Sequence, residues 1–102
     1  GVPHGGEVAY VWDTGDVAEG IKDSFTDKDR QFARRVNDYW LGFARTGRPA
    51  AAGAPEWPAH RGAQDRAILF GDTIAVERNF MRPRLNALIG TTSVLRRVLN
   101  RR

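Results

Sequence analysis

The N-terminal stretch Gly1-Val2-Pro3-His4-Gly5-Gly6-Glu7-Val8-Ala9-Tyr10-Val11-Trp12 decides how the whole sequence is interpreted. Pro3 fixes its own φ and favours an extended conformation in the residue before it. Gly5 and Gly6 permit a tight turn beside His4, and the apolar run over 8–12 anchors that turn to a core. The stretch therefore predicts an imidazole mounted at the edge of a structured element. Imidazole is the side chain best suited to exchange protons near neutral pH.

Length and composition limit the classes of protein. The chain has 102 residues and no cysteine, which fits at most one small domain without disulfides or a cysteine metal site. His4 and His60 are too few and too far apart to predict a metal cluster, so we expect neither metal nor cofactor. No apolar run approaches the ~20 residues that cross a bilayer. Because the sharpest motif lies at the start, we expect a C-terminal fragment of a longer polypeptide, from either cytoplasm or export.

Charge is unevenly distributed along the sequence. Seven arginines and no acidic residue follow Glu77, whereas nine basic residues face twelve acidic ones up to that point, so the net charge of +4 belongs to the tail. A basic tail is consistent with nucleic-acid or membrane binding. A solvated helix face is the more ordinary explanation.

The middle of the chain predicts one long helix over 26–46. Thr26 is a suitable N-cap, and two aspartates in the first turn favour a helix N-terminus. Gly47 suits the position after the helix, which Pro49 then keeps from continuing. The predicted apolar stripe, with Tyr39 on its flank, consists of Phe32, Ala33, Val36, Trp40, Phe43 and Ala44. The preceding segment 13–25 is interpreted as a surface connection, in which Val17, Ile21 and Phe25 contact the core.

Beyond the helix, the segment 49–66 is predicted to be an ordered loop pinned by Trp57. The segment 67–77 predicts a strand or a small hairpin with Gly71-Asp72 as its turn. The segment 83–100 predicts a helical tail in which Gly90-Thr91-Thr92-Ser93 ends one helix and caps another.

Two segments carry a resemblance to a known family. The first segment, Gly1 to Trp12, has the pattern Gly-x-x-His-Gly-x-Glu before an aliphatic and aromatic run. It resembles the catalytic-histidine segment of the type B carboxylesterases, which are the cholinesterase-like α/β-hydrolases. Tyr39-Trp40-Leu41-Gly42-Phe43-Ala44-Arg45-Thr46-Gly47-Arg48-Pro49 is similar to a second signature of that family, which we assign to packing. The resemblance covers about 1–89 and departs from the family at Trp12-Asp13, where an aromatic-glycine pair is usual.

The resemblance implies an α/β fold, with 1–102 as the C-terminal portion of one α/β-hydrolase domain. It implies that His4 is the general base and acid of a serine esterase, with Gly5 and Glu7 in a supporting network near the site, where a buried hydrogen-bonding role is expected for Glu7. Neither serine has the flanking glycines of a nucleophile elbow. The nucleophile, the triad acid and the oxyanion hole must then come from the rest of the same polypeptide, so the fragment alone is expected to be inactive on small carboxylic esters.

Two other interpretations remain open at this point. The first is a cholinesterase-like scaffold or adhesion domain that has lost the triad, which a missing Gly-x-Ser-x-Gly in the parent sequence would favour. The second is a small basic module that binds through its arginine tail. No aromatic residue follows Phe80 among the arginines, whereas single-strand nucleic-acid binders use aromatic stacking platforms. We therefore expect no nucleic-acid partner.

Overall fold

A computed structural model describes residues 3–101 of the chain. Its elements, in chain order, are α1 (Val8–Val11), a 3₁₀ turn (Lys22–Ser24), α2 (Asp27–Thr46), β1 (Arg66–Phe70), β2 (Ile74–Arg78) and α3 (Arg82–Leu99). The long helix, the late hairpin and the C-terminal helix confirm the predicted arrangement of elements.

Helix α2 begins and ends at local sequence signals. The Thr26 hydroxyl accepts a hydrogen bond from the Asp29 backbone N–H, and the Asp29 carboxylate accepts one from the Thr26 backbone N–H, which together form a capping box. At the other end Gly47 takes φ 77° and its N–H bonds to the Phe43 carbonyl. Because this left-handed conformation suits glycine, the chain leaves the helix there without strain.

The buried core lies mainly along one face of α2. Ala33, Val36 and Tyr39 are its buried residues, and Ala9 and Phe25 cover them from the N-terminal segment. The predicted stripe was therefore wrong in two respects. Tyr39 is the fully buried centre and not the flank, whereas Trp40, Phe43 and Ala44 are exposed. The Tyr39 hydroxyl donates a hydrogen bond to the Pro55 carbonyl, which explains how a phenol lies at the centre of the core.

Of the three side chains expected to contact the core from segment 13–25, Phe25 is buried. Ile21 is half-buried, and Val17 is 71% exposed, so its predicted core contact was wrong. Gly15 packs closely here, since a Cβ added at this position would lie 2.2 Å from the Phe25 ring. Asp13 takes φ 52°, in the left-handed region. Aspartate enters that region more readily than most non-glycine residues, so the turn forms where the family pattern has glycine.

The hairpin β1–β2 is antiparallel, with Phe70 paired to Ile74 and Arg66 paired to Arg78. Its loop has three residues, Gly71 to Thr73, where the sequence predicted the two-residue turn Gly71-Asp72. Phe70, at the end of β1, joins the hairpin to the rest of the chain. Its ring lies 5.7–6.5 Å from four other aromatic rings, which belong to Phe32, Tyr39, Trp40 and Trp57.

Helix α3 is continuous, so the predicted break at Gly90-Thr91-Thr92-Ser93 was wrong. The Thr91 hydroxyl donates to the Ala87 carbonyl and the Thr92 hydroxyl donates to the Leu88 carbonyl, each at 2.9 Å. Both threonines satisfy their hydroxyls within the preceding turn, which lets the helix run through them. Pro83 lies in the first turn, as predicted.

The chain is extended and not compact. Its radius of gyration is 18.2 Å and its dimensions are 57 × 31 × 23 Å, whereas a compact domain of this length has a radius of about 13 Å. Large apolar side chains accordingly remain exposed along α3 and at the end of α2.

Candidate functional site

The predicted site histidine lies in a tight turn. The Gly6 N–H bonds to the Pro3 carbonyl at 3.0 Å, and the Val8 N–H bonds to the Gly5 carbonyl at 3.2 Å. Gly5 takes φ 71°, a conformation in which a side chain would strain the backbone. His4 and Gly5 thus occupy the two central positions of the turn, and His4 is exposed. The geometry presents the imidazole outward from a backbone that glycine shapes.

Helix α1 holds this turn against α2. The Asn37 amide donates a hydrogen bond of 2.7 Å to the Val11 carbonyl at the end of α1. The Tyr10 ring lies 5.3 Å from Phe25 and 5.6 Å from Phe32, measured between centroids. These contacts join the last two residues of α1 to two residues of α2 and to Phe25 just before it. The loop position is therefore fixed by a rigid helix.

A second link joins Tyr10 to the capping box of α2. Its hydroxyl donates to Asp29 Oδ1 at 3.4 Å, while Asp29 Oδ2 accepts from the Thr26 hydroxyl at 2.6 Å. Hydrogen bonds from the Thr26 hydroxyl, then from its backbone N–H, lower the pKa of Asp29. Burial, followed by the neighbouring Asp29 charge, raises the pKa of Tyr10. The cap of α2 and the anchor of the histidine turn therefore share one carboxylate.

A cavity of about 570 Å³ lies beside the turn. Its lining includes the predicted site residues His4 and Gly5, the anchoring pair Tyr10 and Asp29, and Ser24. The Ser24 hydroxyl donates to the Ile21 carbonyl at 2.9 Å, which engages it in the 3₁₀ turn. Within residues 3–101 the His4 ring makes no hydrogen bond. The described chain thus supplies a pocket and an imidazole, without a nucleophile directed at it.

Glu7 does not fill the buried role expected of it within this chain. It is exposed, and its carboxylate makes no hydrogen bond to the described residues. Its backbone carbonyl accepts from the N–H groups of Tyr10 and Val11, each at 3.0 Å. Glu7 is the N-cap residue of α1, so in the described part of the molecule it shapes the turn through its backbone.

Sequence reasoning missed the residues that position the turn. Asn37 lies beside the apolar stripe of α2. The one indication of its role in the sequence was a single amide side chain next to buried positions. Asp29 was recognised as a first-turn carboxylate, but nothing in the sequence indicated its contact with Tyr10, 19 positions earlier. Such contacts depend on how α1 crosses α2, which periodicity does not reveal.

A larger cavity of about 880 Å³ lies at the other end of α2, between the helix and the loop that follows. Tyr39, Trp40 and Trp57 line it, and His60 lies at its edge and is exposed. The Tyr39 and Trp57 rings are 5.8 Å apart. This is the cluster that pins the loop over 49–66, as expected of Trp57, and it is separate from the histidine turn.

Among residues 3–101 no group of three histidine, cysteine or acidic side chains is placed to hold a metal ion. In the same range, none of the helices has both the length and the apolar character that crossing a membrane requires.

The chain is similar in sequence to several known hydrolases. Over 55 residues the chain is 42% identical to the acylcarnitine hydrolase of Rattus norvegicus and 38% identical to the cocaine esterase of Homo sapiens; each match covers 54% of this chain. Over 61 residues, 59% of the chain, it is 37% identical to the acetylcholinesterase of Gallus gallus. The matched segments cover 8–10% of these relatives.

Solved structures show the same fold. A PNB esterase matches 81% of this chain with a TM-score of 0.69 and 23% identity, over 16% of its own length. A second structure of that enzyme matches 72% of the chain with a TM-score of 0.62 and 26% identity, over 15% of its own length. The helices and the small antiparallel sheet are thus a portion of the α/β-hydrolase fold. The sequence pattern of the carboxylesterase family matches residues 1–88, and the chain belongs to that family.

Proposed function

We propose that this chain is the histidine-bearing C-terminal part of a serine hydrolase of carboxylic esters, with His4 as general base and general acid. The observation that carries the proposal is the position of the family match, which includes the whole turn around His4. The turn keeps its imidazole exposed, while Asn37 of α2 holds the adjoining helix α1 in place. A proton-transfer group needs both properties, since it must reach the substrate and keep its orientation.

In this proposal the remainder of the polypeptide supplies the serine, the triad acid and the oxyanion hole. His4 accepts the serine proton as the serine oxygen bonds to the ester carbonyl carbon, and it then donates that proton to the departing alkoxide. In the second half it accepts a proton from water, whose oxygen attacks the acyl-enzyme, and returns a proton to the serine. Backbone N–H groups outside this chain stabilise the oxyanion.

The substrate proposal rests on what the names of the relatives say. They include an acylcarnitine hydrolase, a cocaine esterase and a pyrethroid hydrolase. We infer that the substrate of the parent protein is likewise a small-molecule carboxylic ester. The cavity beside His4 contributes one wall of the space that the rest of the polypeptide completes.

Gly5 and Glu7 are proposed to support His4 in different ways. Gly5 permits the positive φ of the turn. Glu7 is exposed in this chain, so its carboxylate is proposed to contact the remainder of the polypeptide. Asn37 is added as a positioning residue, because it holds the end of α1 to α2 through the bond to Val11.

The test is the substitution His4→Ala in the full-length polypeptide, assayed with a p-nitrophenyl ester. We expect kcat to fall by roughly 10⁴-fold or more, since members of a triad act as a unit. His60→Ala is the matched control, because His60 is also exposed and lies in the separate loop; its activity should stay within about twofold. Retained activity in His4→Ala would refute the role of His4.

A second experiment uses the chain of 102 residues with and without the preceding part of its parent. Ester hydrolysis that occurs only when the two parts are mixed supports a triad completed in trans. An inactive mixture that is shown to be folded instead indicates a scaffold without catalysis. Hydrolysis by this chain alone would place the nucleophile within it and contradict the proposal.

A further inference from the structure

Helix α1 is too short to hold the His4 turn in place by itself. It has four residues, about one turn, and it follows directly after the turn that carries His4. A single helical turn is unstable alone, because fixing its backbone costs more free energy than its few hydrogen bonds return. Ala9 is buried on α1, but a methyl group makes no directional contact. The orientation of the His4 turn therefore depends on the polar and aromatic contacts that α1 makes with other elements.

Two hydrogen bonds from side chains join α1 to α2. Asn37 donates to the Val11 carbonyl at 2.7 Å, which holds the C-terminal end of α1 at one point. A contact at one point does not prevent rotation of the helix about it. Tyr10 supplies the second point, since its hydroxyl donates to Asp29 Oδ1 at 3.4 Å.

The contacts of Tyr10 are with partners that are themselves held in place. Asp29 belongs to the capping box of α2, where its other oxygen, Oδ2, accepts from the Thr26 backbone N–H at 2.8 Å. The Tyr10 ring packs against Phe25 and Phe32, with centroids 5.3 and 5.6 Å away. A carboxylate that the helix N-terminus holds in place gives the Tyr10 hydroxyl a fixed acceptor.

Tyr10 is also next to the site. It lines the cavity of about 570 Å³ together with His4 and Asp29. Val8 and Ala9 are the other α1 residues in that lining, and neither has a side chain that can form a hydrogen bond. Tyr10 is therefore the one residue of α1 that borders the space beside the imidazole and also bonds to α2 through its side chain.

We infer that Tyr10 is a positioning residue for His4, and that its hydrogen bond to Asp29 holds the histidine turn where the imidazole can reach the serine. The inference rests on the proposed function of His4. Tyr10 takes no part in proton transfer and acts through the orientation of α1. A proton-transfer group must be within hydrogen-bond distance of its partner, and a displacement of about 1 Å can lower the rate roughly 100-fold. All the groups that fix the turn in this way belong to the described chain.

The experiment is the substitution Tyr10→Phe in the full-length polypeptide, assayed with a p-nitrophenyl ester. We expect kcat to fall about five- to tenfold while KM stays within about twofold, because the ring remains and only the directional bond is lost. Tyr39→Phe is the matched control, since it removes the hydroxyl that bonds to the Pro55 carbonyl in the separate cluster. Its kcat should stay within about twofold.

Urea unfolding of the same two variants separates positioning from stability. Tyr39 is fully buried and Tyr10 is half-buried, so Tyr39→Phe should be at least as destabilising as Tyr10→Phe. Activity should show the opposite order. An unchanged kcat in Tyr10→Phe, or equal losses of kcat in both variants, would overturn the inference.

A second pair of variants separates the Tyr10 bond from the capping box. Asp29→Ala and Thr26→Ala both break the box, but only Asp29→Ala removes the acceptor of the Tyr10 hydroxyl. We expect kcat to fall about five- to tenfold in Asp29→Ala and less than about threefold in Thr26→Ala. Equal losses would assign the effect to the cap of α2 and contradict a positioning role of Tyr10.

A double variant tests whether Tyr10 acts through His4. In a His4→Ala background, Tyr10→Phe should not lower the residual rate further, because the group that it positions is gone. A further loss of about five- to tenfold would show an independent effect and overturn the inference. An inactive His4→Ala beside a fully active Tyr10→Phe would refute this inference alone. A fully active His4→Ala would refute the proposed function and this inference with it.

Discussion

The two terminal helices differ in how the rest of the chain holds them. Helix α1 has four residues and is fixed by a buried alanine, a tyrosine in contact with two rings, and a hydrogen bond that the Asn37 side chain of α2 donates to its last carbonyl. Helix α3 has 18 residues, and none of them is buried. The length and regularity of a helix therefore do not determine whether it is anchored. Contacts at particular positions do, and they are concentrated next to the proposed site.

The largest difference is expected from deleting one large side chain in each region. Tyr39 on α2 is fully buried, whereas Leu88 on α3 is 64% exposed. Tyr39→Ala should lower the free energy of unfolding by about 3–5 kcal/mol, because it empties the centre of the core. Leu88→Ala should change it by less than about 0.5 kcal/mol. Urea unfolding followed by circular dichroism measures both, and equal losses would refute the contrast between the two regions.

An intermediate difference is expected from adding one methyl group in each region. At Gly15 a Cβ would lie 2.2 Å from the Phe25 ring, whereas at Gly90 it would meet nothing within 4 Å. Gly15→Ala should therefore destabilise the chain by about 1–3 kcal/mol. Gly90→Ala should raise the helicity of α3 and stabilise it by about 0.5–1 kcal/mol. Thermal unfolding of the pair would contradict the packing described for Gly15 if both substitutions moved the midpoint upward.

The smallest effect is expected at the capping box of α2, which α3 lacks because Met81 precedes it without a side-chain cap. Thr26→Ala should cost about 1 kcal/mol. The pKa of Asp29 is lowered in the folded chain. The stability its carboxylate adds is therefore fully present above the usual aspartate pKa of about 3.9, and is lost as pH falls through the lower folded value.

Asp29→Asn should flatten that acid-side dependence when ellipticity is followed from about pH 6 to pH 2. Asp38→Asn removes a carboxylate from an exposed position on the same helix and serves as the control. A pH profile unchanged in Asp29→Asn would show that the shared carboxylate does not hold the cap.

Local signals predicted the elements where a residue acts on its own neighbours. Thr26 and Gly47 marked the ends of α2, and the family signature around His4 indicated the turn. The break predicted at Gly90 failed because the threonine hydroxyls bond back to carbonyls in the same helix. Composition alone does not distinguish those bonds from a cap.

Contacts between elements were beyond the sequence. Tyr39 was assigned to the flank because periodicity gives the direction of a face but not its centre. That centre is set by the loop after α2, whose Pro55 carbonyl accepts the Tyr39 hydrogen bond. Likewise, the exposed carboxylate of Glu7 and the anchoring amide of Asn37 follow from the crossing of α1 over α2. The pattern of apolar and polar residues does not indicate these contacts between elements.

The position of Phe70 determines which substitutions the hairpin tolerates. Its ring is the contact through which β1 meets the aromatic residues of α2 and the loop. Most of β2 is exposed, from Ala75 to Arg78. Substitutions along β2 should therefore accumulate with little penalty, while position 70 should accept only another large ring. The hairpin is therefore attached through the half-buried strand β1, whose anchor is Phe70, and β2 is the strand whose sequence can vary.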